Sequence, residues 1–172
     1  MSAPEIRPFA AEDLEAVIAG ITSEEPDAHR RRLEDHERGD AVWVVAWVDG
    51  TPAGYGGLML EADELVESRG LPFVDYLVVE EPYRRRGIAR ALMLALEDRA
   101  REAGASGVML DTGAGPDHVP ARALYRSLGY VERSGVYLGG WSDPDRPGVH
   151  VVDRLTTWVK PLPCPCGGGV SR

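Results

Sequence analysis

Hydrophobic residues recur with two different periods along the first third of the chain. Residues 5–9 form a pattern typical of a short strand. A first helix is then predicted from apolar residues at helical spacing, namely Leu14, Val17, Ile18 and Ile21. A second, polar helix is predicted over 27–38, with Asp27 as its N-cap and Gly39 closing it. The N-terminal region is therefore expected to be a strand followed by two helices.

Three apolar segments predict the next three strands, at 41–48, 51–60 and 73–79. Segment 41–48 is apolar on both faces and rich in β-branched and aromatic residues, which indicates a buried strand. Asp49-Gly50 directly after it is a strong two-residue hairpin signal. We therefore expect the first two of these strands to pair as a hairpin.

The remaining elements complete an α/β or α+β pattern with a mixed sheet. A long amphipathic helix beginning at Ile88 is predicted to end at Gly104. A compact helix is predicted from Pro120 to Gly129. Further strands are predicted at 107–110, 130–138 and 149–159, the last two joined by a long loop at 139–148. The predicted organisation is one domain over residues 1–160 and a disordered tail over 161–172.

Composition and charge narrow the classes of function. The 172 residues carry a net charge of −9, the opposite of what a nucleic-acid backbone binder normally shows. Neither a membrane span nor a secretory signal is found, so a cytoplasmic protein without a membrane partner is expected. Cys164 and Cys166 both lie in the Pro/Gly-rich tail, so neither a disulfide framework nor a four-cysteine metal site is predicted.

The segment 78–90 carries the clearest chemical signal. A predicted strand ends there, a short turn carries Arg84, Arg85 and Arg86, and Gly87 lies at the mouth of the long helix. Exposed N–H groups and the positive dipole end make a helix N-terminus suitable for phosphate. The alternative interpretation is an ordinary helix start with solvated arginines.

Two motifs resemble a known family. The pattern Arg84-x-x-Gly87-x-Ala89, between a strand and a long amphipathic helix, resembles the acyl-CoA-binding motif of the GNAT superfamily of N-acetyltransferases. The segment 120–130, a helix that carries Tyr125 and ends in Gly-Tyr, is similar to that superfamily's later signature. With the matching order of elements, the resemblance covers about residues 5–160.

The resemblance implies a fold and a donor site. It implies a mixed, mostly antiparallel central sheet, flanked by helices and splayed between the strands around Val79 and Leu110. Backbone groups on the first of these strands would pair with the pantetheine arm of acetyl-CoA, and backbone amides at 85–90 would hold its pyrophosphate. The implied cofactor-binding residues are Leu77, Val78, Val79, Arg84, Arg85, Arg86, Gly87, Ile88, Ala89, Arg90, His118 and Tyr125.

Tyr125 resembles the family's general acid, which protonates the departing thiolate of CoA. A phenol of ordinary pKa near 10 is a reasonable donor to a thiolate of similar basicity. Tyr125 also lies on the apolar stripe of its helix, so a purely structural role in the core is the alternative. Where many members carry Asn, this chain has His118, which could bond the cofactor arm, cap the helix or act as a base.

A general base for the acceptor amine is sought among Asp75, Glu80 and Glu81, because most amines are protonated at neutral pH. Asp75 is predicted on the same strand face as Leu77 and Val79. A carboxylate in an otherwise apolar strand needs either a partner or a functional role.

The acceptor side is expected between the first two helices, loop 139–148 and the connector after Leu60. Acidic and aromatic side chains that could line it for a cationic amine are Glu24, Glu25, Asp27, Trp141, Asp143 and Asp145. The resemblance therefore implies an acetyl-CoA-dependent transferase that acetylates a primary amine directly, on a small cationic molecule or on a protein. A non-catalytic acyl-CoA-binding module is the alternative, and the resemblance makes a homodimer one expectation.

Overall fold

The computed structural model describes residues 3–61, 70–143 and 146–163. The strands of this part of the chain are β1 (Glu5–Pro8), β2 (Ala41–Val48), β3 (Thr51–Met59), β4 (Phe73–Val79), β5 (Gly107–Gly113), β6 (Val131–Glu132), β7 (Tyr137–Ser142) and β8 (His150–Pro161). Its α-helices are α1 (Leu14–Gly20), α2 (Pro26–Arg38), α3 (Ile88–Glu102) and α4 (Val119–Ser127).

The strands form one mixed sheet in the order β1-β2-β3-β4-β5-β8-β6, with β7 paired to β8. The β4–β5 pair is parallel and the other pairs are antiparallel. The β4–β5 pairing is confined to two residue pairs, Phe73 with Met109 and Val74 with Leu110. Beyond these pairs the two strands are not hydrogen-bonded to each other, so the sheet opens at its centre.

Helices cover both faces of the sheet. Alternation along β2 divides its apolar side chains between the faces, which explains why the whole strand is apolar. One core contains Val44, Ala46, Leu92, Leu96 and Tyr125, between the sheet and α3 and α4. The other core contains Val17, Ile21, Leu33, Trp43 and Tyr55, between the sheet and α1 and α2.

A β-bulge in β4 changes which side chains share a face. Gly57 pairs with Tyr76 whereas Leu58 pairs with Val74, so Asp75 is the extra residue. Val74 packs in the α3 core with Leu77 and Val79. The prediction that Asp75 shares their face is therefore wrong, because the bulge interrupts the simple two-residue alternation.

The hairpin and the second helix depend on local backbone chemistry. Asp49 and Gly50 both have positive φ, at 49° and 78°, as the predicted two-residue turn between β2 and β3 requires. Helix α2 starts at Pro26, with Glu25 rather than Asp27 in the N-cap position. Proline favours the first helical turn because its φ is already fixed near the helical value.

The C-terminal strands differ most from the predicted boundaries. The predicted strand 130–138 is divided into β6 and β7, because the hydroxyl oxygen of Ser134 accepts the Thr157 N–H at 2.8 Å in place of a backbone carbonyl. Strand β7 continues to Ser142 and shortens the predicted loop, and β5 continues to Gly113. Leu162 is buried and its N–H donates to Ser106 O at 2.9 Å, so the folded domain extends past residue 160.

The predictions for the C-terminal tail and for cellular location go beyond what the described residues show. The remainder of the expected tail, with both cysteines, lies outside the described residues. Among the helices that are described, none has the length and apolar character needed to cross a membrane. Cytoplasmic location stays a prediction.

Candidate active site

The opening between β4 and β5 exposes one edge of β4. The carbonyl oxygens of Tyr76 and Val78 face β3, where Cβ atoms built on Gly56 and Gly54 would meet them. Because neighbouring residues of a strand point their backbone groups to opposite sides, those of Leu77 and Val79 face the opening. The Arg84 side chain occupies part of this edge, donating from Nε to Val79 O at 2.9 Å.

Val78 does not fit the expected pantetheine-binding set, because the alternation along β4 turns its backbone groups towards β3. Val78 is aligned with Tyr55 of β3, and a Cβ at Gly54 would collide with the Val78 carbonyl oxygen. The backbone of Val78 is thus committed to the β3 ladder. Only Leu77 and Val79 of the three predicted residues present their N–H and C=O groups to the opening.

The turn after β4 leads directly into the N-terminus of α3. A short 3₁₀ turn, Glu81–Tyr83, precedes it, and Arg85 and Gly87 take positive φ values of 64° and 80°. Gly87 is the N-cap of α3 and no side chain caps the helix. The first intrahelical bond runs from Ala91 N to Gly87 O at 3.0 Å. The amides of the first turn therefore have no acceptor within the helix, as at any helix start.

The arginines around this turn are exposed and differ in their contacts. The Arg86 guanidinium lies over the Tyr83 ring, 5.5 Å from its centroid. Arg90 donates to the hydroxyl of Ser127 at 2.7 Å, which joins α3 to the end of α4. Together with the Arg84–Val79 bond, these contacts hold three cationic side chains around one uncapped helix start.

Tyr125 of α4 is buried in the α3 core. Its ring lies 6.0 Å from that of Tyr130 and 6.5 Å from that of Trp158, between centroids. Leu77 and Val79 pack against the same cluster. Burial raises the pKa of the Tyr125 phenol to about 12. Within the described residues the phenol oxygen has no hydrogen-bond partner, so the structural and the acid roles both remain compatible with its position.

His118 lies at the start of α4, where one of its three expected roles fails. It occupies the N-cap position, but its side chain makes no capping hydrogen bond. Its ring instead lies against Gly113 at the end of β5, where a Cβ on residue 113 would collide with the imidazole. The side chain is exposed, so contact with a cofactor and a role as base stay predictions.

Glu80 follows β4 and is bonded to the connection between α1 and α2. It is 9% exposed, and its N–H donates to Ala53 O at 2.9 Å. Its carboxylate oxygen Oε1 accepts the Ser23 N–H at 3.1 Å and the Ser23 hydroxyl in a short hydrogen bond. Among the three candidate bases, Glu80 is the one whose carboxylate the fold holds by hydrogen bonds to another element, directly after the last residue of β4.

A buried polar network lies beside Glu80 on the α2 face. Glu24 accepts hydrogen bonds from the Tyr76 hydroxyl and from Arg32 Nη2, the latter at 3.1 Å. Arg32 also donates to the Tyr55 hydroxyl, and its guanidinium carbon lies 4.3 Å from the Tyr76 ring centroid. Burial is the largest cause of the raised pKa values of both tyrosines. This network keeps its hydroxyl groups neutral and fixes the α1–α2 connection against β3 and β4.

Sequence reasoning found Glu24 but missed Arg32, Tyr55 and Tyr76. Arg32 is one of three consecutive arginines in a polar helix, and nothing local distinguishes it from its neighbours. The two tyrosines could have been found, because they lie on neighbouring strand segments among small and apolar residues, where a hydroxyl needs a partner.

Asp75 and Glu81 are the other two candidate bases. Asp75 lines a cavity of about 200 Å³ with Asp35, Asp40, Trp43 and Met59, on the α2 face. Loss of hydration raises the pKa of the Asp75 carboxyl, and Arg32 partly opposes the effect. Glu81 is exposed in the turn before α3. Unlike Glu80, neither carboxyl group accepts a hydrogen bond from another group of the described residues.

The described members of the expected acceptor-side set lie on different elements and in different surroundings. Glu24 is in the buried network, whereas Asp27 is exposed and pairs with Arg30 at 2.7 Å. Glu25 is exposed at the start of α2, and Trp141 is 42% exposed on β7. Asp143 pairs with Arg146 at 2.7 Å, and Asp145 lies outside the described residues.

Strands β4 and β5 form a parallel pair at the centre of the sheet and separate after two residue pairs, and the chain passes from β4 to the uncapped start of α3. This arrangement defines a GNAT-type transferase fold. The acetyltransferase (GNAT) family model matches residues 7–130, and the chain belongs to this family. The fold class and the family predicted from the sequence are thus both confirmed.

Similar proteins agree with this assignment. The chain is 34% identical over 106 residues to human N-acetyltransferase 8, covering 62% of this chain and 45% of that protein. It is 29% identical over 122 residues to an IAA acetyltransferase from Azospirillum brasilense, covering 71% of this chain and 74% of that one. The chain thus spans about half the length of the human relatives it matches.

A solved structure with the same fold is phosphinothricin acetyltransferase from Sinorhizobium meliloti, determined in complex with acetyl-CoA. Its TM-score is 0.71, with 18% sequence identity, 94% of this chain and 89% of that chain covered. The likeness shows the fold.

Proposed function

We propose that this chain is an acetyl-CoA-dependent N-acetyltransferase that transfers the acetyl group directly to a primary amine. The observation that carries the proposal is the opening between β4 and β5, which exposes the edge of β4 at Leu77 and Val79 before the chain reaches the uncapped start of α3. Unpaired backbone groups are costly unless water or a ligand satisfies them. An extended ligand with amide groups at one end and phosphates at the other fits such a site.

Acetyl-CoA has this composition, and the residues present suit its parts. The N–H and C=O groups of Leu77 and the N–H of Val79 would pair with the amides of the pantetheine arm, whereas the Val79 carbonyl oxygen already accepts from Arg84. The first-turn amides of α3, at Ile88, Ala89 and Arg90, would hold the pyrophosphate, because the helix start combines free donors with a positive dipole end. Arg84, Arg85 and Arg86 add positive charge nearby.

Glu80 and Tyr125 supply the proton transfers in this proposal. The amine nitrogen, once it has lost a proton to Glu80, attacks the thioester carbonyl carbon, a C–N bond forms and the C–S bond breaks. The departing thiolate takes the phenol proton of Tyr125, and the second proton of the attacking nitrogen leaves through solvent and restores the phenol. The phenol is protonated at neutral pH, and burial raises its pKa further, to about 12. The acetyl group passes directly between the substrates, without a covalent enzyme intermediate.

A small cationic amine is the proposed acceptor, with a protein amino group as the alternative. The chain carries a net charge of −9, and the Glu80 carboxylate directly follows β4 in the chain. Acidic surroundings favour the approach of a cation. This favours polyamine-like or aminoglycoside-like molecules over neutral amines.

Calorimetry and thiol release test the proposal in two steps. We expect acetyl-CoA to bind with measurable heat, and a panel of small amines and N-terminal peptides to include at least one that releases free CoA thiol. Binding without turnover on any amine would favour the non-catalytic acyl-CoA-binding module. No heat with any coenzyme A species would remove the donor site.

A further inference from the structure

Ser23 is the residue through which the α1–α2 connection contacts Glu80. Its backbone N–H, at 3.1 Å, and its hydroxyl both donate to the same carboxylate oxygen, Oε1. The two residues are 57 positions apart in the sequence. Within the described residues, the other oxygen, Oε2, accepts no hydrogen bond from a protein group.

This arrangement gives the two carboxylate oxygens different environments. Two donors on Oε1 fix the rotation of the carboxylate and direct the lone pairs of Oε2 away from the α1–α2 connection. A base must be within hydrogen-bond reach of the proton that it removes, so its orientation matters as much as its acidity. A freely rotating glutamate would spend part of its time facing the wrong way.

The connection is itself held, so Ser23 is an anchor and not a second mobile group. The adjacent residue Glu24 accepts hydrogen bonds from Tyr76 of β4 and from Arg32 of α2. Ser23 and Glu24 are thereby bonded to Glu80 and Tyr76, which are four positions apart at the end of β4. His29, one turn into α2, donates from Nε2 to Ile21 O at 2.9 Å and fixes the other end of the connection.

We infer that Ser23 is a positioning residue for the transferase reaction, holding the Glu80 carboxylate with Oε2 directed to the acceptor amine. The inference rests on the proposed function of Glu80 as the base. It assigns to the α1–α2 connection a role in catalysis beyond forming a wall of the acceptor side.

The experiment compares Ser23→Ala, Ser23→Thr, Glu80→Gln and the control Thr22→Ala in steady-state thiol release. Acetyl-CoA and the amine with the fastest turnover in the panel are the substrates. Thr22 is the neighbouring exposed residue of the same connection. We expect Ser23→Ala to lower kcat by roughly tenfold, a part of the roughly 10²–10⁴-fold that a general base contributes. The KM for acetyl-CoA should change less than twofold.

Rescue separates positioning from a structural effect. Ser23→Thr keeps the hydroxyl and should recover most of kcat, whereas Thr22→Ala should behave as the unmodified chain. Equal kcat values for Ser23→Ala and the unmodified chain would overturn the inference, and so would a Ser23→Thr variant as slow as Ser23→Ala. A melting temperature measured on each variant shows that loss of rate is not loss of fold.

Glu80→Gln distinguishes failure of the inference from failure of the proposed function. If Glu80→Gln keeps its turnover, Glu80 is not the base and the inference falls with that role. If Glu80→Gln loses turnover and Ser23→Ala does not, the base assignment stands and the role of Ser23 alone is refuted. If no amine in the panel releases thiol, both fail together.

Discussion

Tyr125 and Glu80 lie in different environments, and the proposed reaction gives them opposite roles: Tyr125 donates a proton and Glu80 accepts one. Tyr125 is enclosed by the aromatic rings of Tyr130 and Trp158, and burial raises its pKa to about 12. Glu80 lies where the chain leaves β4, with one oxygen fixed by Ser23. The carboxylate is held in one orientation, as an acceptor of a proton from an amine requires. The phenol is protonated at neutral pH, but its raised pKa makes it a weaker acid than the free phenol, so the acid role of Tyr125 has to be tested directly.

Replacing Tyr125 with Phe tests the acid role. The ring still fills the same space among Tyr130 and Trp158, so stability and the dissociation constant for acetyl-CoA should change little. We expect kcat for thiol release to fall at least tenfold, because the thiolate then leaves without a proton donor. Unchanged turnover would return Tyr125 to a role in the core alone.

His29 makes folding stability depend on pH. Burial lowers the pKa of His29 below its ordinary 6.5, so the folded chain keeps the ring neutral. Below about pH 6.5 His29 is protonated in the unfolded chain but stays neutral in the folded chain. The free energy of unfolding therefore decreases as the pH falls. Denaturant unfolding at pH 7.5 and 5.5 should show a larger loss for the unmodified chain than for His29→Gln, by about 1 kcal/mol.

Glutamine is the informative replacement at this position. It offers an amide N–H for the Ile21 carbonyl but takes up no proton in this range. Identical losses in the two proteins between the two pH values would show that His29 does not carry this dependence.

At the scale of elements, the start of α3 is the feature most open to a controlled test. Gly87 precedes the helix with φ 80° and Gly104 follows it with φ 78°, and a Cβ on either would meet no atom within 4 Å. Alanine at either position is disfavoured by about 1–2 kcal/mol because of the positive φ. The two variants therefore carry a matched backbone penalty at opposite ends of one helix.

Only one end of α3 is proposed to hold phosphate. Gly87→Ala should weaken acetyl-CoA binding about tenfold, because relaxing the strained φ turns the first-turn amides away from the pyrophosphate. Gly104→Ala should lower the melting temperature similarly and leave the dissociation constant unchanged. Equal affinities of the two variants in calorimetry would contradict a phosphate site at this helix start.

Element order and fold class could be predicted from the sequence, whereas exact boundaries could not, and the donor site stays a proposal. Gly87 and Gly129 mark helix ends with local signals, and the Asp49-Gly50 turn fixes a hairpin. The bulge at Asp75 has no such signal, because it arises from the pairing of β4 with Gly57 and Leu58 of a different strand. The proposed acceptor side rests on contacts such as Ser23 with Glu80, which join distant parts of the chain and leave no local signal.

At the scale of the whole molecule, the negative charge bears on the choice of acceptor. With a net charge of −9, the chain should attract a cationic amine through long-range electrostatics that salt screens. We expect kcat/KM for a polyamine to fall several-fold between about 10 and 150 mM ionic strength, while kcat stays nearly constant. Steady-state assays at fixed pH measure this dependence.

A neutral amine acceptor of similar size provides the comparison. Its kcat/KM should be nearly independent of salt, because it gains nothing from the field of the protein. A polyamine that shows the same flat dependence would argue against electrostatic selection of cations and leave a protein amino group as the better candidate.

The central sheet also has a mechanical consequence. Strands β1 to β4 form one half and β5 to β8 the other, and across the middle the ladder consists of Phe73–Met109 and Val74–Leu110. A ligand lying along Leu77 and Val79 would bridge β4 and β5 beyond the point where their pairing ends. Part of the binding free energy of acetyl-CoA would then reduce the relative motion of the two halves of the sheet. The acetyl donor would therefore be both a substrate and a temporary structural link.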